Sequence, residues 1–387
     1  MKLISPIIVY FFAWGLVLLL YSLGLTKNLF PFSWAGIAMI IANFFSMAII
    51  YLMVNYKSKS WNKYNINDYT PLVLGYAKVL FVVWLLGTII EIYHGQGFPL
   101  MWVMTGTGKL YTEFGIPSFH GVMNACFLQL VTALTYLGVL SRKKKYLWFI
   151  LILLTWPVLM LGRGILLSAI VQIVVITLFF VRIKPKHLFL LLLLGITFII
   201  CFGVLGDMRQ NSNPFAYLVY DEYKDFFDSI PTGFLWVYVY LTAGVSNLFY
   251  NLPALEPTYS FDYSFSNMLP TIVRDFFNIS GRNDLFIFVD HNLNTSTIYA
   301  GFTSDFWILG GFVMVMFIQF LSCIAYRIAN RGRPWGVFSY SVFFQILLFS
   351  IFYDMFFLLP TLFQISMTVI LFVFSHFGSK YEAINTK

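Results

Sequence analysis

The stretch KKKYLWFILILLTWPVLMLGRGILLSAIVQIVVITLFFVRIK, residues 143–184, decides the fold class. Between its opening lysines and the closing Arg182 and Lys184, Arg163 carries the one charge. A straight helix over 146–181 would run roughly 54 Å at about 1.5 Å per residue, whereas a bilayer hydrocarbon core is about 30 Å thick. The chain therefore crosses twice and reverses at Gly162-Arg163-Gly164. Two glycines and the preceding Pro157 favour a tight turn there.

The same reading extends outward from this hairpin. Of the 387 residues, 60% are hydrophobic, 20% aromatic and 10% charged, and mean hydropathy is +0.81. Soluble domains carry about 25% charged residues. Runs of span length with little or no charge fall at about 5–25, 32–54, 72–92, 118–140, 146–161, 165–181, 187–206, 306–326, 335–355 and 359–378. The expectation is an all-α polytopic membrane protein of about ten transmembrane helices. It divides into helices one to seven (1–206), one large polar loop (207–303), and helices eight to ten with a tail (304–387). Within the loop, 232–252 is apolar. An eleventh span there would carry Arg327, Arg331 and Arg333 to the wrong side, so the segment is read as interfacial or re-entrant, with Trp236, Tyr238 and Tyr240 at the interface.

Basic residues set the orientation. Sixteen Lys and Arg fall on the side of both termini, seven on the other, and Lys78 lies within a span. The positive-inside bias then makes the termini cytoplasmic and puts 207–303 outside. The net charge of +8 reflects these retained loops and gives no support to nucleic-acid binding. Of the sixteen acids only Asp68 and Glu382 lie on the cytoplasmic side, and ten fall within 207–303. Cys126, Cys201 and Cys323 all lie in spans, which indicates neither a disulfide framework nor a thiol metal site. The first apolar run is too long for a signal-peptide core and stands as the first span. No fixed-period repeat and no pair of similar halves is visible. HExxH, P-loop, GxSxG and Asp-x-Asp motifs are absent, and the first outer loop lacks acids.

Chemistry is then sought among polar residues at the outer surface. Arg163 sits on an external hairpin against the positive-inside bias, either facing phosphate or snorkelling. Arg209, Arg274 and Arg282 each have an acid nearby in sequence and a surface ion pair as the simpler reading. Several arginines on one face still suit phosphate oxygens, which a guanidinium fork meets bidentately. Glu91 and His94 end the third span, and Glu113 and His120 flank the fourth; structural hydrogen bonding is the plain reading of such histidines. His291, between Asp290 and Asn292, is the choice for a base, with loop pinning as its alternative. Asp305 enters the eighth span and either caps that helix or binds substrate.

Four strings then carry a resemblance: EIYHG with GFPL (91–95, 97–100), YTEFGIPSFH (111–120), GRG (162–164), and NTST with DFWILG (294–297, 305–310). Together, in this order and position, they resemble the Wzy family of oligosaccharide repeat-unit polymerases along essentially the whole chain. The chain departs from that pattern at Trp307, where the family's DFG-like turn has a small residue. The resemblance implies a bacterial inner-membrane glycosyltransferase similar in fold to lipid-sugar-dependent transferases and O-antigen ligases. It would join undecaprenyl-diphosphate-linked oligosaccharides on the periplasmic face, as in O-antigen and lipopolysaccharide synthesis, alongside a chain-length regulator. No cofactor or metal is expected, because the diphosphate leaving group is already anionic and needs cations more than an acid. A flippase for lipid-linked sugars, or a ligase, is the alternative.

Overall fold

The computed structural model describes residues 3–56, 69–181, 189, 192–193, 195–197, 199–200, 203–204, 206–207, 213–266, 268–279, 287–290, 293 and 295–385. Among these the chain is helical, and its β content is one isolated bridge between Thr26 and Val219. The helices are α1 (Pro6–Ser22), α2 (Trp34–Asn55), α3 (Thr70–Gly95), α4 (Pro99–Thr105), α5 (Phe119–Ser141), α6 (Lys144–Leu159), α7 (Arg163–Phe180), α8 (Lys224–Asp228), α9 (Gly233–Asn251), α10 (Asp262–Phe265), α11 (Thr271–Phe276), α12 (Ala300–Ala329), α13 (Pro334–Phe349) and α14 (Leu359–Asn385). Proline opens α1, α3, α4 and α13, where its missing N–H costs no helical bond. Ser33 caps α2 by accepting the Gly36 N–H at 3.3 Å.

Among the described residues, six helical stretches are long and apolar enough to cross a membrane: Trp34–Asn55, Thr70–Thr105, Phe119–Ser141, Arg163–Phe180, Ala300–Ala329 and Leu359–His376. Pro6–Ser22 and Pro334–Phe349 are shorter apolar helices. Nine of the ten expected runs coincide with described helices, and nine of the twenty residues of 187–206 lie outside the described residues. The 143–184 hairpin forms, but the residue in left-handed backbone is Leu161 (φ +54°) and not a flanking glycine. The Gly162 N–H bonds back to the Pro157 carbonyl at 2.8 Å, closing α6 as a left-handed cap does.

α5 lies at the centre, against α3, α6, α7 and α14, while α12 packs on α2 and α13. Amides tie these apolar helices together. Gln172 on α7 bonds Gln345 on α13 (2.6 Å) and Gln364 on α14 (3.1 Å), and Gln345 donates to Ser168 (2.8 Å). Gln319 on α12 donates to the Asn43 carbonyl (3.0 Å) and accepts from Ser46 (2.6 Å), both on α2. Packing contributes little selectivity where lipid is as apolar as leucine, so such bonds, each typically worth ~0.6 kcal/mol, help fix the pairing.

α12 is two arms. Phe306 (φ −135°, ψ 23°) and Trp307 (φ 57°, ψ −159°) break it, and a Cβ on Gly311 would lie 2.7 Å from Thr303 and 3.4 Å from Tyr299, so the short arm folds back on the long one. The short arm starts deep: the Tyr299 hydroxyl lies 3.0 Å from that of Tyr10, and the Ile298 N–H bonds the Ser350 carbonyl at 2.7 Å. Residues 295–299 therefore enter the bundle before α12 turns back.

α9 covers the apolar segment expected to be interfacial or re-entrant, and its aromatics turn toward the protein. Trp236 and Tyr238 are buried in the protein, and Tyr240 is partly buried beside them. Ser246 donates to the Asn28 carbonyl (2.6 Å) and accepts the Phe30 N–H (2.9 Å), which fastens α9 to the α1–α2 loop. Asn247 binds the backbone of Val289, Leu293 and Thr295, and Asn251 exchanges two bonds with Ile287. These contacts pack α9 on two sides.

Candidate functional site

Glu91 lies in the last turn of α3 and His120 in the first turn of α5, 29 residues apart in sequence. The fold brings the Glu91 Oε1 to 3.0 Å from the His120 Nδ1. Glu91 is 1% exposed, whereas the His120 side chain is 28% exposed. With Glu91 as a carboxylate and the ring neutral, this contact puts the proton on Nδ1 and leaves Nε2 with the lone pair. A buried acid orienting a half-open imidazole is a geometry suited to proton abstraction.

The loop before α5 builds this arrangement. Ser118 takes φ +66° and Gly115 φ +100°. A Cβ on Gly115 would stand 2.6 Å from the His120 Cγ, so only glycine allows the ring to lie there. Phe114 meets the ring edge-on, 5.6 Å between centroids, and itself rests on Trp156 of α6. Lys109 lies nearby in the same loop, donating to the Gly95 carbonyl at 3.1 Å and covering Trp102.

The polar segment is tethered to the same place. The Ser118 Oγ accepts the Thr271 N–H at 2.7 Å, which fixes the start of α11 two residues from His120. Arg274, half-buried, follows one helical turn after Thr271. Arg163 is exposed at the start of α7, which packs against α5. His94, at the end of α3, is exposed.

Other expected site residues make local hydrogen bonds. Glu113 is exposed and bonds the Leu110 N–H at 3.4 Å, a local cap. Asp305 is fully buried, and it caps α10 and not its own helix: its carboxylate accepts the N–H groups of Tyr263 (3.2 Å) and Ser264 (2.9 Å). The break at 306–307 ends the short arm at Asp305 and turns the carboxylate to that loop. Asp290 accepts from the Tyr217 hydroxyl, and its neighbour His291 lies outside the described residues, as do Arg209 and Arg282. Lys224 hydrogen-bonds Asp221 at 2.6 Å, and that bond and its charge hold the Asp221 carboxyl below the ordinary range. Among the described residues no group of three or more His, Cys, Asp and Glu is placed to hold a metal ion.

A cavity of about 550 Å³ opens between the 252–259 loop after α9, the start of α2 and the break in α12, lined by Ser33, Glu256, Tyr259, Trp307 and apolar neighbours. Neither Glu91 nor His120 lines it, so this hollow and the dyad are separate features. Tyr259 (77% exposed) and Trp307 (50% exposed) both hold positive φ at its rim. The Tyr259 N–H bonds the Asp305 carbonyl at 2.8 Å, which keeps the two aromatics on one frame.

Sequence reasoning named Glu91 and His120 separately but not as a pair. The available signal was that both polar groups end consecutive apolar runs on the same side of the membrane. No protein family, characterised protein or solved structure compared with the chain matches it.

Proposed function

We propose that this protein is a membrane glycosyltransferase that joins lipid-diphosphate-linked oligosaccharide units. The observation that carries the reading is the Glu91–His120 dyad, held where α11 and its Arg274 are tied to the start of α5. In this reading the acceptor hydroxyl gives its proton to the His120 Nε2 while its oxygen bonds the donor's anomeric carbon. The bond from that carbon to the diphosphate oxygen breaks, and undecaprenyl diphosphate leaves with the electron pair. Arg163 and Arg274 face the growing phosphate charge, where a fixed guanidinium stabilises the transition state more than mobile water does. His120 later returns its proton to solvent. The dyad supports this base role by its geometry, while His291, the base expected from the sequence, lies outside the described residues. The termini and basic loops are assigned to the cytoplasm and the dyad to the periplasmic face of the inner membrane, in keeping with the charge distribution.

The test is a deletion strain complemented with wild type, His120→Gln or His291→Gln, with surface glycan resolved on gels and lipid-linked units quantified. Loss of long chains with single capped units retained, in the His120 variant at normal protein level, is the expected result. Loss of single units as well points to a ligase or flippase, and intracellular accumulation separates those two. Normal chains from His120→Gln would remove the dyad from the mechanism.

A further inference from the structure

Far from the dyad, at the end of the bundle that carries Arg327, Arg331 and Arg333, a second cleft of about 470 Å³ runs between α2 and α12. Ile50, Met53 and Val54 line it from α2 at i, i+3, i+4 spacing, one helix face. From α12 it is lined by Phe320, Ile324 and Ile328, then by Arg327 and Arg331. Phe320 to Arg331 covers about 16 Å at ~1.5 Å per residue, half of the ~30 Å hydrocarbon core. The cleft is thus one leaflet deep, apolar toward the bilayer centre and cationic at its mouth. Met53 and Phe320 are exposed, so the groove opens sideways to lipid.

Charge selects the occupant. Arg327, in the last turn of α12, and Arg331, in the turn that follows it, both line the cleft and are exposed, and among the described residues neither pairs with a carboxylate. The neighbouring Arg333 is engaged differently, its guanidinium 5.5 Å over the Trp335 ring. Two guanidiniums above an apolar slot match a phosphodiester above an acyl chain. Snorkelling of isolated arginines explains the charges but not the slot beneath them.

We propose that this cleft is a binding site for an anionic glycerophospholipid, its acyl chain against Met53, Phe320 and Ile324 and its phosphate on Arg327 and Arg331. The site is independent of the glycosyltransferase reading. The test is native mass spectrometry of the full-length protein, purified, delipidated and offered phosphatidylglycerol or phosphatidylcholine with identical chains. Wild type should retain one phosphatidylglycerol in preference to phosphatidylcholine, and salt should release it. The double variant R327Q/R331Q should retain it at least about tenfold less, since each basic group near a lipid surface contributes on the order of a fivefold gain. Met53→Trp, which fills the slot and leaves the charges, should also lose it. Both variants are scored as monodisperse protein, and Lys144→Gln, in another basic loop, should retain the lipid. Equal retention of the two lipids, or retention unchanged by either the double variant or Met53→Trp, would overturn the proposal.

Discussion

Replacing Glu91 by Gln isolates charge from shape at the dyad. The amide oxygen can still accept from the His120 Nδ1 across the 3.0 Å contact, so ring position and packing should persist. What disappears is the negative charge that, in the proposed mechanism, faces the imidazolium formed when Nε2 takes the acceptor proton. Unit charges about 4 Å apart at an effective dielectric of about 20 interact by ~4 kcal/mol. Glu91 is buried but His120 is 28% open to solvent, which reduces that figure. A net loss of about 2–3 kcal/mol of transition-state stabilisation, near 10²-fold in rate, is expected. The assay is single-turnover elongation of a lipid-linked donor by purified protein in liposomes, beside a donor-binding measurement. Turnover should fall about 10²-fold while donor affinity changes less than about threefold, because the lost interaction exists only in the transition state. A Glu91→Gln protein that elongates within about threefold of wild type would refute the assignment of Glu91 and His120 to proton transfer.

Further expectations can be checked separately. Gly115→Ala places a methyl 2.6 Å from the His120 ring at φ +100°, so it should reduce elongation strongly and lower thermal stability by about 1–3 kcal/mol, measurable by scanning fluorimetry. Trp307→Gly relieves a conformation (φ 57°, ψ −159°) that few side chains adopt; despite glycine's unfolded-state entropy, stability should hold or rise by about 1 kcal/mol, and a clear fall in melting temperature would contradict the strain argument. Asp305→Asn trades one of two acceptor oxygens for a donor facing the Tyr263 and Ser264 N–H groups and should cost about 1–3 kcal/mol in the same assay. In a cysteine-free background, Arg331→Cys should react with impermeant maleimide only after the inner membrane is opened; labelling in intact spheroplasts would invert the proposed orientation.

Membrane class, the positions of nine described helices and a reversal near Arg163 followed from the residues alone. Hydropathy sums along a segment, and a span is a length threshold on that sum, so neither needs knowledge of neighbours. Tertiary structure decided what depends on how each helix is rotated about its own axis. Lipid-facing and core-facing positions are equally apolar here, so periodicity does not say which side of α3 or α5 turns inward. The Glu91–His120 contact, the burial of Trp236 and Tyr238, and the capping of α10 by Asp305 all depend on that rotation. Leu161, and not Gly162, took the left-handed turn because the cap bond to Pro157 fixes where α6 ends, a constraint set by hydrogen bonding and not by which residue tolerates the conformation best.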